Sequence, residues 1–237
     1  MRAFLTTAFL TTGFSILGLA GPALAQEDPN LRTPSIYVIE HEGVRGEFVV
    51  GDAAWGDVLA TLSAVRSADE AQAEAISQQL WERRDLNPPV FLFEVARREA
   101  ASNPERALEA YFLGRARSVY DAMRCVDSTS MEVVDMASQY AGEGIVTLLS
   151  ERLDLAEPAL ERLLNSGEAF SSQASPWWAC SFGQAAYYAA VNNSPMAGNE
   201  WLKVEATWSS LQDTVRRNIE GNLLIVQSAR AQANAQP

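Results

Sequence analysis

Eight apolar residues near the C-terminus place the strongest constraint on the fold. Trp201, Val204, Trp208, Leu211, Val215, Ile219, Leu223 and Val226 are spaced 3, 4, 3, 4, 4, 4 and 3. The mean is close to 3.6, which predicts one face of a long straight helix rather than a strict heptad seam. An apolar face of that length has to be covered. It acts as a strut along the chain's own core or as a helix for a dimer or partner, and the strut is the simpler reading. From Ala229 to Pro237 the chain is Ala/Gln-rich and is expected to fray.

The same texture runs upstream to Gly51. Asp52 is placed to cap a helix with Trp55, Val58, Leu59 and Leu62 at helical spacing. Ser67-Ala-Asp-Glu70 has the form of a capping box for a helix carrying Ala71, Ala75, Ile76, Leu80 and Trp81. Asn87-Pro-Pro89 predicts a break. Val90 to Ala101 is read as amphipathic. Asn103-Pro104 opens a helix that runs to about Val126. Met131 to Leu153 is helical, with a kink at Gly142-Glu-Gly144, and Asp154 to Leu164 is a shorter helix. Trp177 to Val191 is compact and aromatic. Two runs differ: Ser35 to His41 alternates and is rich in β-branched and aromatic residues, and Glu47 to Val50 follows after two glycines. Together they predict a short β-hairpin or extended arm. The fold class is therefore mostly α: an irregular bundle of about seven helices with an N-terminal hairpin or arm.

The first residues carry an address. Arg2 precedes an apolar stretch from Ala3 to Ala20 without acid or base, then Gly21-Pro22 and the small-residue pattern Ala23-Leu-Ala25. This predicts a secretory signal peptide over 1–25, cleaved before Gln26, and a bacterial periplasmic or secreted protein. The domain plan is then 1–25 signal peptide, 26–51 flexible lead-in and hairpin or arm, 52–230 one helical domain, and 231–237 tail. No later apolar run is long enough to span a bilayer. In an oxidising compartment the two cysteines, Cys125 and Cys180, are expected to pair.

Composition removes whole classes of chemistry. Thirty acids oppose eighteen bases, a formal charge of -12, which argues against a nucleic-acid partner. With one histidine and two cysteines, structural zinc sites lack ligands. Phosphate-loop, dinucleotide and calcium-loop patterns are missing from the sequence, and neither a metal nor a cofactor is expected. Six arginines lie between Arg97 and Arg124, interleaved with Glu94, Glu99, Glu105, Glu109 and Asp121. The simpler reading is ion pairing on helix surfaces, with Arg117 and Asp121 four apart. The sharper one is an anion site built on Arg117 and Arg124, two turns apart. Trp177 and Trp178, then Tyr187 and Tyr188, pack around the cysteine bridge or line a ligand cleft. Glu143, between two glycines, is the one acid placed oddly enough to consider as a catalytic group.

Two resemblances add to this. Phe93-Glu-Val-Ala96, with Asn103 to Tyr111 and Gly114, resembles one helical hairpin of the tetratricopeptide or Sel1-like kind, in which Ala107, Tyr111 and Gly114 form the interhelical contact. That resemblance implies a protein-binding scaffold. Arg117-x-x-x-Asp121-x-x-Arg124-Cys125-x-Asp127, with Pro176-x-Trp178-x-Cys180, resembles helical bacterial envelope proteins that lend no activity. The reading that follows is an exported binding protein without catalysis, a scaffold or inhibitor-type molecule with a protein partner, a basic one on the inhibitor reading. The alternatives are a cell-wall enzyme using a Glu acid and a carrier of a small anionic or sugar ligand.

Overall fold

A computed structural model describes residues 28–41, 44–68 and 70–235. The leader expected over 1–25 lies outside them, as do Gln26, Glu27 and the last two residues. The chain is mostly helical. Two strands, β1 (Ser35–His41) and β2 (Val44–Gly51), pair antiparallel with Ser35 opposite Gly51. The helices are α1 (Ala53–Ser67), α2 (Ala73–Glu82), α3 (Val90–Glu99), α4 (Pro104–Arg124), α5 (Glu132–Ser138), α6 (Gly142–Glu151), α7 (Leu153–Ser166), α8 (Trp177–Cys180), α9 (Gln184–Val191), α10 (Gly198–Trp201) and α11 (Trp208–Asn234).

That is more than the seven helices expected, because three long stretches are cut. Gly142 takes a left-handed φ of 73° and separates α5 from α6. Gly183 separates α8 from α9 at a point where a Cβ would sit 2.7 Å from Asp127 Oδ2. The eight-residue C-terminal face is cut after Trp201. Leu202 turns extended and bridges Cys125, and the Lys203 amide donates to the Arg124 carbonyl at 2.8 Å. This crossing strand serves the free carbonyl end of α4, where the Lys203 ammonium also meets the Met123 carbonyl at 2.8 Å. Trp201 stays in the core and Val204 is exposed. The helix proper starts at Trp208, and its face continues through Leu211, Val215, Ile219, Leu223 and Val226. It continues to Asn234, through most of the stretch expected to fray.

Helix α4 is the axis of the molecule. It packs on α3, α7 and α11, with α5, α6 and α8 around its ends. Asn103 caps it, accepting from the Arg106 amide, and Pro104 opens its first turn. Gly114 lets α3 approach: a Cβ there would lie 3.1 Å from Phe93 and 3.2 Å from Leu92. Tyr111 meets Phe93 edge-on at 6.0 Å, so the residues of the helical-hairpin pattern form the α3–α4 contact. Helix α3 is not amphipathic. Nine of its ten residues are buried, including Glu94, Arg98 and Glu99. Ser67, expected to open a capping box before α2, lies instead at the end of α1. It donates back to the Ser63 carbonyl at 2.7 Å, and α2 has no side-chain cap. Asp69 of that box lies outside the described residues.

Cys125 and Cys180 are joined as a disulfide that ties the end of α4 to α8 across a sequence separation of 55. Closing a loop of that size restricts the unfolded chain. Reduction, or Cys125→Ser with Cys180→Ser, is expected to lower stability by about 2–4 kcal/mol. Urea unfolding with and without reductant reads this directly, and equal midpoints would show that the bridge contributes nothing.

Residues 28–34, expected as a flexible lead-in, make specific contacts. Asp28 accepts from the Gly198 amide at 2.6 Å, and the Trp201 indole donates to the Asn30 carbonyl at 2.7 Å. Arg32 lies over the Trp177 and Trp201 rings and pairs with Met196 through the backbone. Among the described residues no helix is long and apolar enough to cross a membrane.

Candidate functional site

Arg117 sits at the middle of α4 with 0% exposure. Its Nε donates to the Glu168 carbonyl at 3.0 Å and Nη1 to the Arg84 carbonyl at 2.5 Å. Nη2 reaches the Glu168 carbonyl at 2.8 Å, the Ser171 hydroxyl at 2.9 Å and the Asp85 carboxylate. The arginine thus pins the turn after α2 and the turn after α7 to α4. Its carboxylate partner is Asp85, not the Asp121 that helical spacing suggests. Partial burial pushes the Asp85 carboxyl up, but Arg117, Ser171 and Arg84 together hold it below the usual carboxylate value.

Asp121 belongs to a second cluster. Its two oxygens take Arg124 Nη2 and the Trp178 indole N–H, the latter at 2.6 Å. Burial pushes its carboxyl up against the pull of Arg124 and Trp178. The Arg124 guanidinium is stacked between Tyr120 at 4.6 Å and Trp208 at 4.9 Å. Arg117 and Arg124 therefore share a helix but face different tasks. Each is committed to protein groups, because a buried guanidinium without partners is costly. Trp177 and Trp178 are buried as well, Trp177 edge-on to Trp201 at 5.1 Å. Four of the six candidate binding residues are thus inside the protein.

A third charged cluster was not legible as buried. Glu94 of α3 has 0% exposure and accepts from Arg97 at 2.7 and 2.9 Å, Arg98 at 2.8 Å and Arg66 at 3.3 Å. Arg98 also reaches the Val65 carbonyl, so the cluster holds α1 to α3. Nearby, Ser77 of α2 donates to Glu99 at 2.5 Å. The available signal was the setting: Glu94 interrupts an otherwise apolar run from Val90 to Ala96, and Arg98 follows four residues later.

Tyr187 and Tyr188 are the two candidates that reach the surface, 43% and 61% exposed. Helix α9 is placed by Asp127, which accepts from the Ala185 amide at 2.7 Å while capping the turn after α4 through Thr129. Burial works against the Asp127 carboxylate, but the Ala185, Thr129 and Gln184 groups hold its pKa down. The two tyrosines meet edge-on at 5.9 Å. Val191, one turn on, is half exposed and Phe182 just before the helix is 37% exposed. The result is a small aromatic-apolar surface on one short helix and the turn before it.

Glu143 is exposed in the first turn of α6, a favourable place for an acid at a helix N-terminus. The neighbouring glycines have structural reasons: Gly142 takes a positive φ, and a Cβ on Gly144 would lie 3.0 Å from that of Ala100. Two clefts open elsewhere. One of about 740 Å³ has Trp81 and Leu113 among Glu109, Glu161, Arg162 and Glu168. The other, of about 730 Å³, runs between α4, α7 and α11. Among the described residues no group of three or more His, Cys, Asp or Glu side chains is arranged to hold a metal ion. The chain matches no protein-family model, no curated protein and no solved structure.

Proposed function

We propose that this chain is an exported helical binding protein that acts without catalysis, and that α9 presents its surface to a protein partner. The observation that carries the reading is the exposed pair Tyr187 and Tyr188, flanked by Phe182 and Val191. Tyrosine combines a large apolar body with a polar tip and is enriched in interface hot spots. The adjoining helix α8 is locked by the disulfide and by Asp121, so the tyrosines stand on a rigid support. The leader-like sequence over 1–25 supports export. The formal charge of -12 favours a basic partner, because charge complementarity speeds encounter.

Affinity capture with the mature protein, from periplasm and from medium, tests the proposal. Tyr187→Ser with Tyr188→Ser is expected to reduce capture of the partner at least tenfold, while Glu143→Gln leaves it unchanged. Capture should weaken as salt rises. Undiminished capture by the double variant would defeat the α9 reading. Degradation of purified cell wall by the parent protein and not by Glu143→Gln would replace binding with the enzymatic alternative.

A further inference from the structure

The groove between α4, α7 and α11 has a composition unlike the rest of the chain. Its floor and walls are Phe112, Val119, Leu153, Leu160, Ile219, Val226 and similar apolar side chains. Two charged residues line it, Arg115 and Arg217, and no carboxylate does. In a protein with thirty acids and eighteen bases that is a local reversal of sign.

Both arginines line the groove at the same level along it. Helices α4 and α11 run antiparallel: Gln212 donates to the Tyr120 hydroxyl at 3.2 Å, and Trp208 lies over Arg124. The same register brings Arg115 level with Arg217. Arg115 leans across to α5, donating to Ser138 at 3.2 Å and lying 3.4 Å from Asp135, which is 83% exposed and so a screened partner. Arg217 is exposed, and its Nη2 donates to the Thr214 hydroxyl at 2.9 Å. From Arg217 the groove follows α11 to Ile225 and Ala229. Twelve helical residues cover about 18 Å. Gly221 leaves the wall open midway, where a Cβ would meet nothing within 4 Å.

From this arrangement we propose that the groove binds a free, single-chain anionic amphiphile of the long-chain carboxylate class. The carboxylate sits between Arg115 and Arg217, and the alkyl chain lies along α11 toward Ala229. A groove of about 730 Å³ is within the ordinary range for a small-molecule site, and its lining matches an apolar tail with one anionic end. This site is separate from the α9 surface and does not depend on it.

The test uses delipidated mature protein with palmitate below its micellar concentration, followed by titration calorimetry and native mass spectrometry. One palmitate per chain is expected, and shortening the tail by two methylenes should weaken binding about tenfold. Hexadecanol, the neutral counterpart, should bind at least tenfold more weakly, and that difference should vanish in Arg115→Gln with Arg217→Gln. Gly221→Phe fills the groove from open space and replaces a helix-weakening glycine, so it should fold with an unchanged or higher melting temperature and lose palmitate. Tyr187→Ser with Tyr188→Ser should retain it. Absence of palmitate binding, equal binding by Gly221→Phe, or equal affinity for hexadecanol would overturn the proposal. So would loss of protein capture in Gly221→Phe without any palmitate binding by the parent, which would make the groove a seat for a partner segment.

Discussion

Glu94→Ala is expected to cost about 3–5 kcal/mol, a large part of the stability of a domain this size. The carboxylate is fully buried and faces three guanidiniums from Arg66, Arg97 and Arg98. Arg66 and Arg97 reach solvent and can rehydrate when it is removed. Arg98 cannot: its side chain is 2% exposed, and the lost carboxylate leaves a buried cation with only the Val65 carbonyl. The penalty is that of an uncompensated charge rather than the worth of the pair. Glu94→Gln should fall between parent and alanine variant, since the amide oxygen still accepts one bond. Urea unfolding followed by circular dichroism measures the change. An effect below about 0.5 kcal/mol, the level of an ordinary surface substitution, would show that the cluster does not hold α1 to α3.

Arg117→Ala is expected to be as damaging, for a different reason. One side chain joins three segments that are distant in sequence: α4, the Arg84–Asp85 turn and the Glu168–Ser171 turn. Its loss orphans the carbonyls of Arg84 and Glu168 and leaves a buried void, so about 3–5 kcal/mol is again expected. Arg117→Lys should recover little of it, because one ammonium cannot serve partners spread around a planar fork. Asp85→Ala should cost far less, since Asp85 is 42% exposed and water can take over at its side. Equal unfolding midpoints for Arg117→Lys and the parent would contradict the fork argument.

Much of the fold was legible because it rests on local signals. Asn103-Pro104 opens α4, Asn87-Pro-Pro89 precedes α3, and Gly142 breaks the helix where the glycine pair predicts. The cysteine pairing followed from the expected compartment and an even count. What was not legible is tertiary. Helical spacing says that Arg117 and Asp121 share a face, but not that α4 is covered on nearly every side. Once it is covered, those residues must find buried partners, and the partners come from Asp85 and Trp178, far off in sequence. The same burial turns α3 from an amphipathic helix into a central one. The Trp201 to Val204 segment was misread because apolar spacing continues across a break that the α4 terminus imposes. Of the candidate site, only Tyr187 and Tyr188 reach the surface, and the sequence gives no sign of which aromatic pair lies inside. The groove was invisible, since Arg115, Gly221 and Arg217 come together only when α11 lies antiparallel to α4.

The most direct test of the binding reading is site-specific photocrosslinking in the cell that exports the protein. A photoreactive phenylalanine analogue replaces Tyr188 in one variant and Leu86, an exposed apolar residue away from α9, in another. One discrete protein adduct is expected at position 188, weakened by salt and absent at position 86. Identical products at both positions, or none at 188, would contradict the binding reading.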